Sequence, residues 1–169
     1  MAIRYVHTNL VAHNWKKLAD FYISVFNCRR IPPERNLQGD WLDKGTGVKN
    51  AAIQGIHLLL PGYDENGPTL EIFQYGNNTS KPTPAANRAG FSHIAFSVDN
   101  VEETLEKILQ HGGSRVGEIA QKRLIERLIT FVYATDPEGN IIEIHNWKDL
   151  QRFYTPSKKI DSYKSILRR

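Results

Sequence analysis

Two histidines and two glutamates recur along the chain and together have the chemistry of a metal site. His7 is followed 64 residues later by Glu71, and His93 is followed 50 residues later by Glu143. Two imidazoles and two carboxylates suit zinc, nickel, cobalt, iron(II) or manganese, and geometry selects among these metals more than ligand identity does. A divalent cation also offsets the cost of burying the two carboxylates. We therefore predict that these four side chains hold one divalent metal ion.

A weak internal repeat places the four residues in equivalent parts of the chain. His7 precedes Asn14 by seven residues, and His93 precedes Asn100 by the same distance, which gives a period of 86. Each asparagine is a candidate helix N-cap, and the apolar spacing of an amphipathic helix follows it. The apolar stripe comprises Leu18, Phe21, Tyr22 and Val25 in the first helix, and Val101, Leu105, Ile108 and Leu109 in the second.

Short strand patterns follow each predicted helix, so each half is predicted to be a βαβββ module. These strands cover residues 29–31, 51–60 and 69–75 in the first half, and 115–119, 130–134 and 141–146 in the second. The DPEGN run at 136–140 predicts a tight turn between the last two strands. The predicted fold class is α+β, with a first module at 1–76, a proline-containing linker at 77–90, a second module at 91–147 and a basic tail at 148–169.

Alternation along the strands places all four predicted ligands on one set of faces. In the opening strand, for example, Val6 and Leu10 lie on the face opposite His7. Any one of these polar residues, taken alone, is better explained as a side chain that faces water. The equivalent placement of all four is what predicts a site. Aromatic residues share these faces and suit an apolar or aromatic substrate, although such residues are more often core: Tyr5, Phe73, Tyr75 and Phe91.

The composition indicates an ordinary globular protein, with 40% hydrophobic and 24% charged residues. No apolar run approaches the roughly 18 residues of a membrane span, and the start lacks the pattern of a secretory signal, so we expect a cytoplasmic protein. The net charge of +4 resides in the tail, where residues 148–169 contain seven Lys or Arg against two Asp or Glu, and no nucleic-acid partner is expected. The single cysteine, Cys28, excludes an internal disulfide and is predicted to be structural.

Several segments between residues 3 and 147 resemble the vicinal oxygen chelate superfamily, which includes glyoxalase I, methylmalonyl-CoA epimerase, extradiol dioxygenases and bleomycin-binding proteins. The resemblance rests on VHTNL at 6–10, FY at 21–22, residues 41–60, LEIF at 70–73, FSHIAF at 91–96, and DPEGN at 136–140 leading into Ile142-Glu143. It implies that the paired modules form a half-open barrel around the metal.

The resemblance is closest to glyoxalase I in its ligand pattern of His, Glu, His and Glu. It carries the ligand roles onto His7, Glu71, His93 and Glu143, with Glu143 as the catalytic base and Glu71 as its counterpart across the substrate. It also implies a lyase or isomerase that acts on a small α-oxygenated carbonyl compound by bidentate chelation and proton transfer.

Two positions depart from glyoxalase I. Val11 and Tyr75 stand where that enzyme carries an Arg and an Asn for glutathione, which leaves glutathione in doubt as a substrate. Weaker candidates for substrate contact are Tyr5, Asn9, His57, Phe73, Tyr75, Phe91 and His145.

Two other functions remain open from the sequence. An iron(II) extradiol dioxygenase would use His7, His93 and Glu143 as a facial triad, and a metal-free protein of the bleomycin-binding kind would only sequester a small molecule. The two modules could pair within one chain or across a dimer. We expect a homodimer, in which residues 153–169 could serve as a clasp.

Overall fold

The structure is a computed structural model that describes residues 3–150 as two sheets and three helices. The first half contains β1 (His7–Val11), α1 (Trp15–Phe26), β2 (Arg29–Gln38), α2 (Asp40–Thr46), β3 (Ala52–Leu59) and β4 (Thr69–Tyr75). The second contains β5 (His93–Ser97), α3 (Val101–Gln110), β6 (Ser114–Arg115), β7 (Ala120–Arg123), β8 (Arg127–Thr135) and β9 (Ile141–Asp149).

The two sheets repeat one topology, which confirms the predicted α+β fold. The first has the strand order β1-β4-β3-β2, and the second has the order β5-β9-β8-β6 with β7 also paired to β8. In each sheet the first strand of the half runs parallel to the last one, β1 beside β4 and β5 beside β9. Each strand that carries a predicted histidine ligand therefore lies next to the strand that carries the predicted glutamate.

Both predicted N-caps are confirmed. The Asn14 side chain accepts a hydrogen bond from the backbone N–H of Lys17 at 3.0 Å, and Asn100 accepts one from Glu103 at 3.1 Å. These contacts satisfy donors that the first turn of a helix leaves unpaired. The predicted stripes are buried with the exception of Leu109, which is 42% exposed and lies outside the core.

One hydrophobic core joins the two halves. The buried faces of α1, α3 and both sheets contribute to it, and the ring of Phe26 at the end of α1 stacks on that of Phe96 in β5 with centroids 4.0 Å apart. Burial of each large apolar side chain contributes about 1.5–3 kcal/mol to the free energy of unfolding. The core lies between the halves. Because side chains alternate along a strand, the predicted ligands lie on the strand faces opposite to this core.

Polar contacts from the predicted turn at 136–140 also tie the halves together. The turn is confirmed by a 2.9 Å hydrogen bond from the Gly139 N–H to the Asp136 carbonyl. The buried hydroxyl of Tyr22 donates to the Asp136 carboxylate at 2.9 Å, and Glu138 accepts from the backbone N–H groups of His13 and Asn14 at 3.0 Å each. The second half thereby caps the start of α1.

Residues 32–49 lie between the predicted strands 29–31 and 51–60, and the structure extends the first of these strands and adds a helix in this connection. β2 continues from residue 31 to Gln38 through Pro32 and Pro33, which lie where the register with β3 shifts between Ile31 and Arg35. Such an irregularity tolerates residues that lack an N–H. The short helix α2 then covers one end of the ligand face, with Leu42 buried against Ala51 and Ile53.

The predicted strand at 115–119 is also wrong in its bounds. The structure has two shorter strands there, β6 and β7, which pair with different parts of β8. The strands β8 and β9 extend beyond the predicted segments 130–134 and 141–146, because their polar and exposed ends still pair with each other as far as Arg127 and Asp149.

Cys28 is buried in the shared core, and burial raises the pKa of its thiol to about 12, as expected for a structural cysteine. Among the residues that the structure describes, none of the helices has the length and apolar character needed to cross a membrane. The predicted clasp at 153–169 lies outside the described residues.

Candidate functional site

The first half-site is formed by the parallel pair β1 and β4. His7 and Glu71 project from neighbouring strands on the same face, and the His7 Nε2 lies 3.5 Å from the Glu71 Oε2. The Glu71 side chain is 12% exposed and that of His7 is 39% exposed. The pair is therefore partly shielded and still reachable from solvent.

Two further donors hold the Glu71 carboxylate. The His57 Nε2, from the adjacent strand β3, lies 2.9 Å from Oε1, and the Asn9 Nδ2 donates to Oε2 at 2.8 Å. Both residues are paired with Glu71 in the register of the sheet. On its other side, the His57 Nδ1 lies 3.1 Å from the hydroxyl of Thr69. Both carboxylate oxygens of Glu71 thus have a nitrogen partner.

Partial burial favours the neutral form of His57. Burial lowers the pKa of its imidazole, and although the Glu71 carboxylate opposes this effect, Arg35 and His7 add to it, so the net direction is downward. A neutral imidazole carries a single N–H. That hydrogen must lie on Nε2, because an ionised carboxylate can only accept.

The second half-site is formed by the parallel pair β5 and β9. The His93 Nε2 lies 3.3 Å from the Glu143 Oε2, and the His145 Nδ1 lies 2.9 Å from Oε1 of the same carboxylate. The Tyr133 ring packs against His93 with centroids 5.0 Å apart. Burial raises the pKa of the Tyr133 hydroxyl, and its charge interaction and hydrogen bond with Glu143 raise it further. Glu143 therefore lies among an imidazole pair and a phenol.

A serine fixes the orientation of the His93 ring. The Ser92 hydroxyl donates to the Ala86 carbonyl at 3.1 Å and lies 3.3 Å from the His93 Nδ1. Because the hydroxyl hydrogen is engaged with the carbonyl, the serine oxygen acts as an acceptor for an N–H on Nδ1. This arrangement leaves the lone pair of Nε2 directed at the site, as a metal ligand requires.

The structure brings the four predicted ligands together as two pairs, one on each sheet. Within residues 3–150 it contains no group of three or more His, Cys, Asp or Glu side chains arranged to hold a metal ion. Each pair presents an imidazole nitrogen and a carboxylate oxygen on one partly exposed face. This donor chemistry fits half the ligand set of a divalent metal.

The weaker site candidates fall into three groups. Asn9, His57 and His145 contact a glutamate of the site. Phe73 and Tyr75 pack against the small cluster under α2, and the Phe73 ring also lies edge-on to His57 with centroids 6.2 Å apart. Gly55 makes room for the Phe73 ring, since a Cβ there would lie 2.5 Å from it. Tyr5 and Phe91 are 63% and 77% exposed, with the Tyr5 hydroxyl bonded to Thr8.

A cavity of about 290 Å³ lies beneath the linker and adjoins the second half-site through His93. None of the other three predicted ligands lines it. Its walls are largely apolar, from residues such as Leu10, Pro84 and Ile141, and they include the side chains of Lys81 and Arg88. The cavity is therefore a neighbour of one half-site only and does not enclose the metal-ligand set.

Three residues of the site were missed from the sequence: Tyr133, Thr69 and Ser92. The signal for Tyr133 was present in the predicted strand 130–134, where alternation separates Phe131 and Tyr133 from the core residues Val132 and Ala134. For Thr69 the sequence offers no comparable signal, because its contact with His57 depends on the register between β3 and β4.

Comparisons with known proteins agree on one family. The profile of the Glyoxalase/Bleomycin resistance protein/Dioxygenase superfamily matches residues 4–144. Lactoylglutathione lyase of Escherichia coli O157:H7 is 42% identical over 152 residues, which cover 89% of this chain and 97% of that protein. The enzyme of the same name from Salmonella typhimurium is 40% identical over 150 residues, with coverage of 89% and 97%.

Among solved structures, a glyoxalase family protein from Bacillus cereus superposes with a TM-score of 0.72 over 89% of this chain and 97% of that one. At 17% identity this likeness shows the fold alone. The matched profile and the curated relatives go further: the chain belongs to the Glyoxalase/Bleomycin resistance protein/Dioxygenase superfamily and is an enzyme of the glyoxalase type.

Proposed function

We propose that this enzyme is a divalent-metal-dependent lyase or isomerase in which His7, Glu71, His93 and Glu143 hold one metal ion and Glu143 moves the proton. Its substrate is a small α-oxygenated carbonyl compound. The observation that carries the proposal is the duplication of one His–Glu pair, with Nε2 facing Oε2 at 3.5 Å in the first half and at 3.3 Å in the second.

The placement of the pairs supports a site shared between two copies of the chain. Each pair lies on the sheet face opposite to the core that joins the two halves, so the packing of Phe26 on Phe96 directs the two ligand faces away from that core. A second copy could set its second half-site against the first half-site of its partner. A twofold dimer built this way would complete two sites at once.

The metal would supply Lewis-acid stabilisation of the oxyanion that develops when a proton leaves carbon next to a carbonyl. The residues of the chain would do the rest. His7, His93 and Glu71 would hold the metal, and Glu143, whose Oε2 faces the site, would accept the proton as a general base. Tyr133 and His145 beside Glu143 would keep its carboxylate directed at the substrate.

The curated relatives are named lactoylglutathione lyase, which makes glutathione-derived hemithioacetals the first substrates to assay. Val11 and Tyr75 stand where glyoxalase I carries glutathione contacts; Tyr75 packs against the α2 cluster, and Val11 is 48% exposed. Acyl-CoA thioesters with an α-carbonyl or α-hydroxyl pattern therefore belong in the same screen. If the metal-loaded protein turned over neither of these two classes of compound, the proposed substrate class would be contradicted.

Mixed dimers test the shared site directly. One variant carries His7→Ala and Glu71→Ala, and the other carries His93→Ala and Glu143→Ala. Neither variant can form a complete site as a homodimer. Co-expression with two affinity tags yields a mixed dimer with one intact site, which should bind about half the wild-type metal and recover about half the activity. If no metal or activity returns in the mixed dimer while wild type binds metal, the ligands pair within one chain instead.

A further inference from the structure

We infer that His57 and His145 are positioning residues that hold one oxygen of Glu71 and Glu143 and leave the other oxygen for the metal or the proton. The inference rests on the proposed function and deepens it. In both half-sites the second imidazole lies 2.9 Å from Oε1, whereas the predicted metal-binding imidazole faces Oε2. Each glutamate thus lies between two histidines that approach different oxygens, and in the first half-site Asn9 also donates to Oε2 of Glu71 at 2.8 Å.

The contact between the second histidine and Oε1 of the glutamate does not follow from the internal repeat, because His57 and His145 are not at equivalent positions. In the first sheet His57 reaches Glu71 from the adjacent strand β3, as its paired residue in the register. The position that pairs with Glu143 in the second sheet is occupied by Tyr133. There the imidazole comes from His145, two residues further along β9. Two different backbone positions therefore deliver a ring N–H to the same oxygen of the equivalent glutamate.

The two rings also contact the carboxylates through different nitrogens, because His57 lies on the strand next to its glutamate and His145 lies on the same strand as its glutamate. His57 spans the gap between strands with Nε2, the distal nitrogen, and His145 folds back along its own strand with Nδ1. An ionised carboxylate offers no hydrogen, so each ring must supply it. For His57 the opposite nitrogen is engaged with the Thr69 hydroxyl at 3.1 Å, which can donate to it and fix this tautomer.

The consequence is that the hydrogen bond at Oε1 would favour the other oxygen of each carboxylate for contact with a metal. A carboxylate whose Oε1 accepts a ring N–H would have to distort that hydrogen bond in order to turn both oxygens towards a cation. Outer hydrogen-bond partners of this kind change metal affinity by about 10- to 100-fold when they are removed. His57 and His145 should therefore set metal affinity without touching the metal themselves.

Paired substitutions separate the hydrogen bond from the ring. His57→Gln places an amide N–H near the position of Nε2, and His145→Asn places one near the position of Nδ1. His57→Leu and His145→Leu remove the donor and keep comparable bulk. We expect the two leucine variants to bind Zn²⁺ and Ni²⁺ about 10- to 100-fold more weakly in chelator competition, and the amide variants to remain within a few-fold of wild type. Affinities equal to wild type in the leucine variants, or amide variants as weak as the leucine ones, would overturn the inference.

Nitrogen-15 NMR of the metal-free protein provides a readout that does not depend on metal or turnover. His57 should be the Nε2–H tautomer and His145 the Nδ1–H tautomer, and Thr69→Val should loosen this preference in His57 alone. The opposite tautomer at either ring refutes the contact there. A wild type with the expected tautomers that binds no metal would refute the proposed function and leave the carboxylate-holding role of the two histidines standing.

Discussion

The two half-sites share a His–Glu pair and differ at the position beside each glutamate on the parallel strand. Glu71 is aligned with Asn9, whose amide donates to it, and Glu143 is aligned with Ala95, whose methyl group donates nothing. Asn9 and Ala95 are separated by the repeat period of 86 residues. One glutamate is therefore fixed at both oxygens, and the other has its metal-facing oxygen free of any amide among the described residues.

This difference separates two roles for one residue type. A carboxylate held at both oxygens is suited to a stationary ligand, because movement or protonation would break an existing hydrogen bond. The carboxylate of Glu143 has no such amide at Oε2, which lies 3.3 Å from the His93 Nε2, so protonation there would break no amide hydrogen bond among the described residues. We therefore propose Glu143, and not Glu71, as the base on the ground of this difference.

Substitution of each glutamate by glutamine should give the largest and most asymmetric effects. Glu143→Gln removes the proposed base and should lower kcat by about 10²- to 10⁴-fold, with a smaller change in metal content. Glu71→Gln should chiefly weaken metal binding, so that added metal restores part of the activity. Steady-state kinetics at saturating metal distinguish the two variants. Equal losses of kcat at saturating metal would abolish the distinction between a ligand and a base.

Exchange of the residues aligned with the two glutamates, Asn9 and Ala95, should give each half-site the properties of the other. Asn9→Ala removes the amide from Glu71 and should weaken metal binding by about 10-fold or more. Ala95→Asn supplies an amide beside Glu143 and should lower kcat while metal affinity holds or rises. The measurements are chelator competition and kcat at saturating metal. If Ala95→Asn left kcat unchanged, the freedom of Glu143 would have no part in turnover.

The contact of Glu138 with the start of α1 joins the two halves. Its loss should have a smaller effect, on the free energy of unfolding alone. Burial by itself would raise the pKa of Glu138, but hydrogen bonds from His13 and Asn14 bring it below its ordinary value. The stabilisation is therefore present above about pH 4.3, the pKa of an unperturbed glutamate, and is lost as the pH falls through the lower value of the folded protein. Glu138→Gln should cost about 1 kcal/mol at pH 7, and less in acid.

Urea unfolding at pH 7 and at pH 3 measures this effect. The matched control is Glu118→Gln, an exposed position that should change the free energy of unfolding by less than about 0.5 kcal/mol. A loss for Glu138→Gln that is equally large at both pH values would show that the charge of Glu138 does not stabilise the start of α1.

The strand faces of the four proposed ligands could be predicted because the periodicity of strands is local. Alternation places His7, Glu71, His93 and Glu143 opposite the core residues of their own strands, and the repeat makes the two pairs equivalent. The two asparagine N-caps could be predicted for the same reason, because an N-cap depends on residues that are close in sequence. The fold class followed from these elements, since a helix between each first strand and the remaining strands gives the parallel pairing observed in both sheets.

Contacts that depend on register could not be predicted in this way. The role of His57 follows from its alignment with Glu71 across two strands 14 residues apart in sequence, and a shift of one residue would have turned it to the other face. The helix α2 was missed because glycines weaken the helical signal, with Gly45 inside the helix and Gly39 and Gly47 at its ends. Burial of Leu42 in the tertiary structure overrides this weak local preference.

The most direct test of the central claim is the metal content of purified, tag-free protein prepared without chelator, beside its His7→Ala and Glu143→Ala variants. We predict close to one divalent metal ion per chain in the wild type and a large loss in both variants, although the two residues lie on different sheets. Wild type that stays empty after dialysis against zinc, nickel, manganese and iron(II) would contradict the claim that these two half-sites together form a metal site.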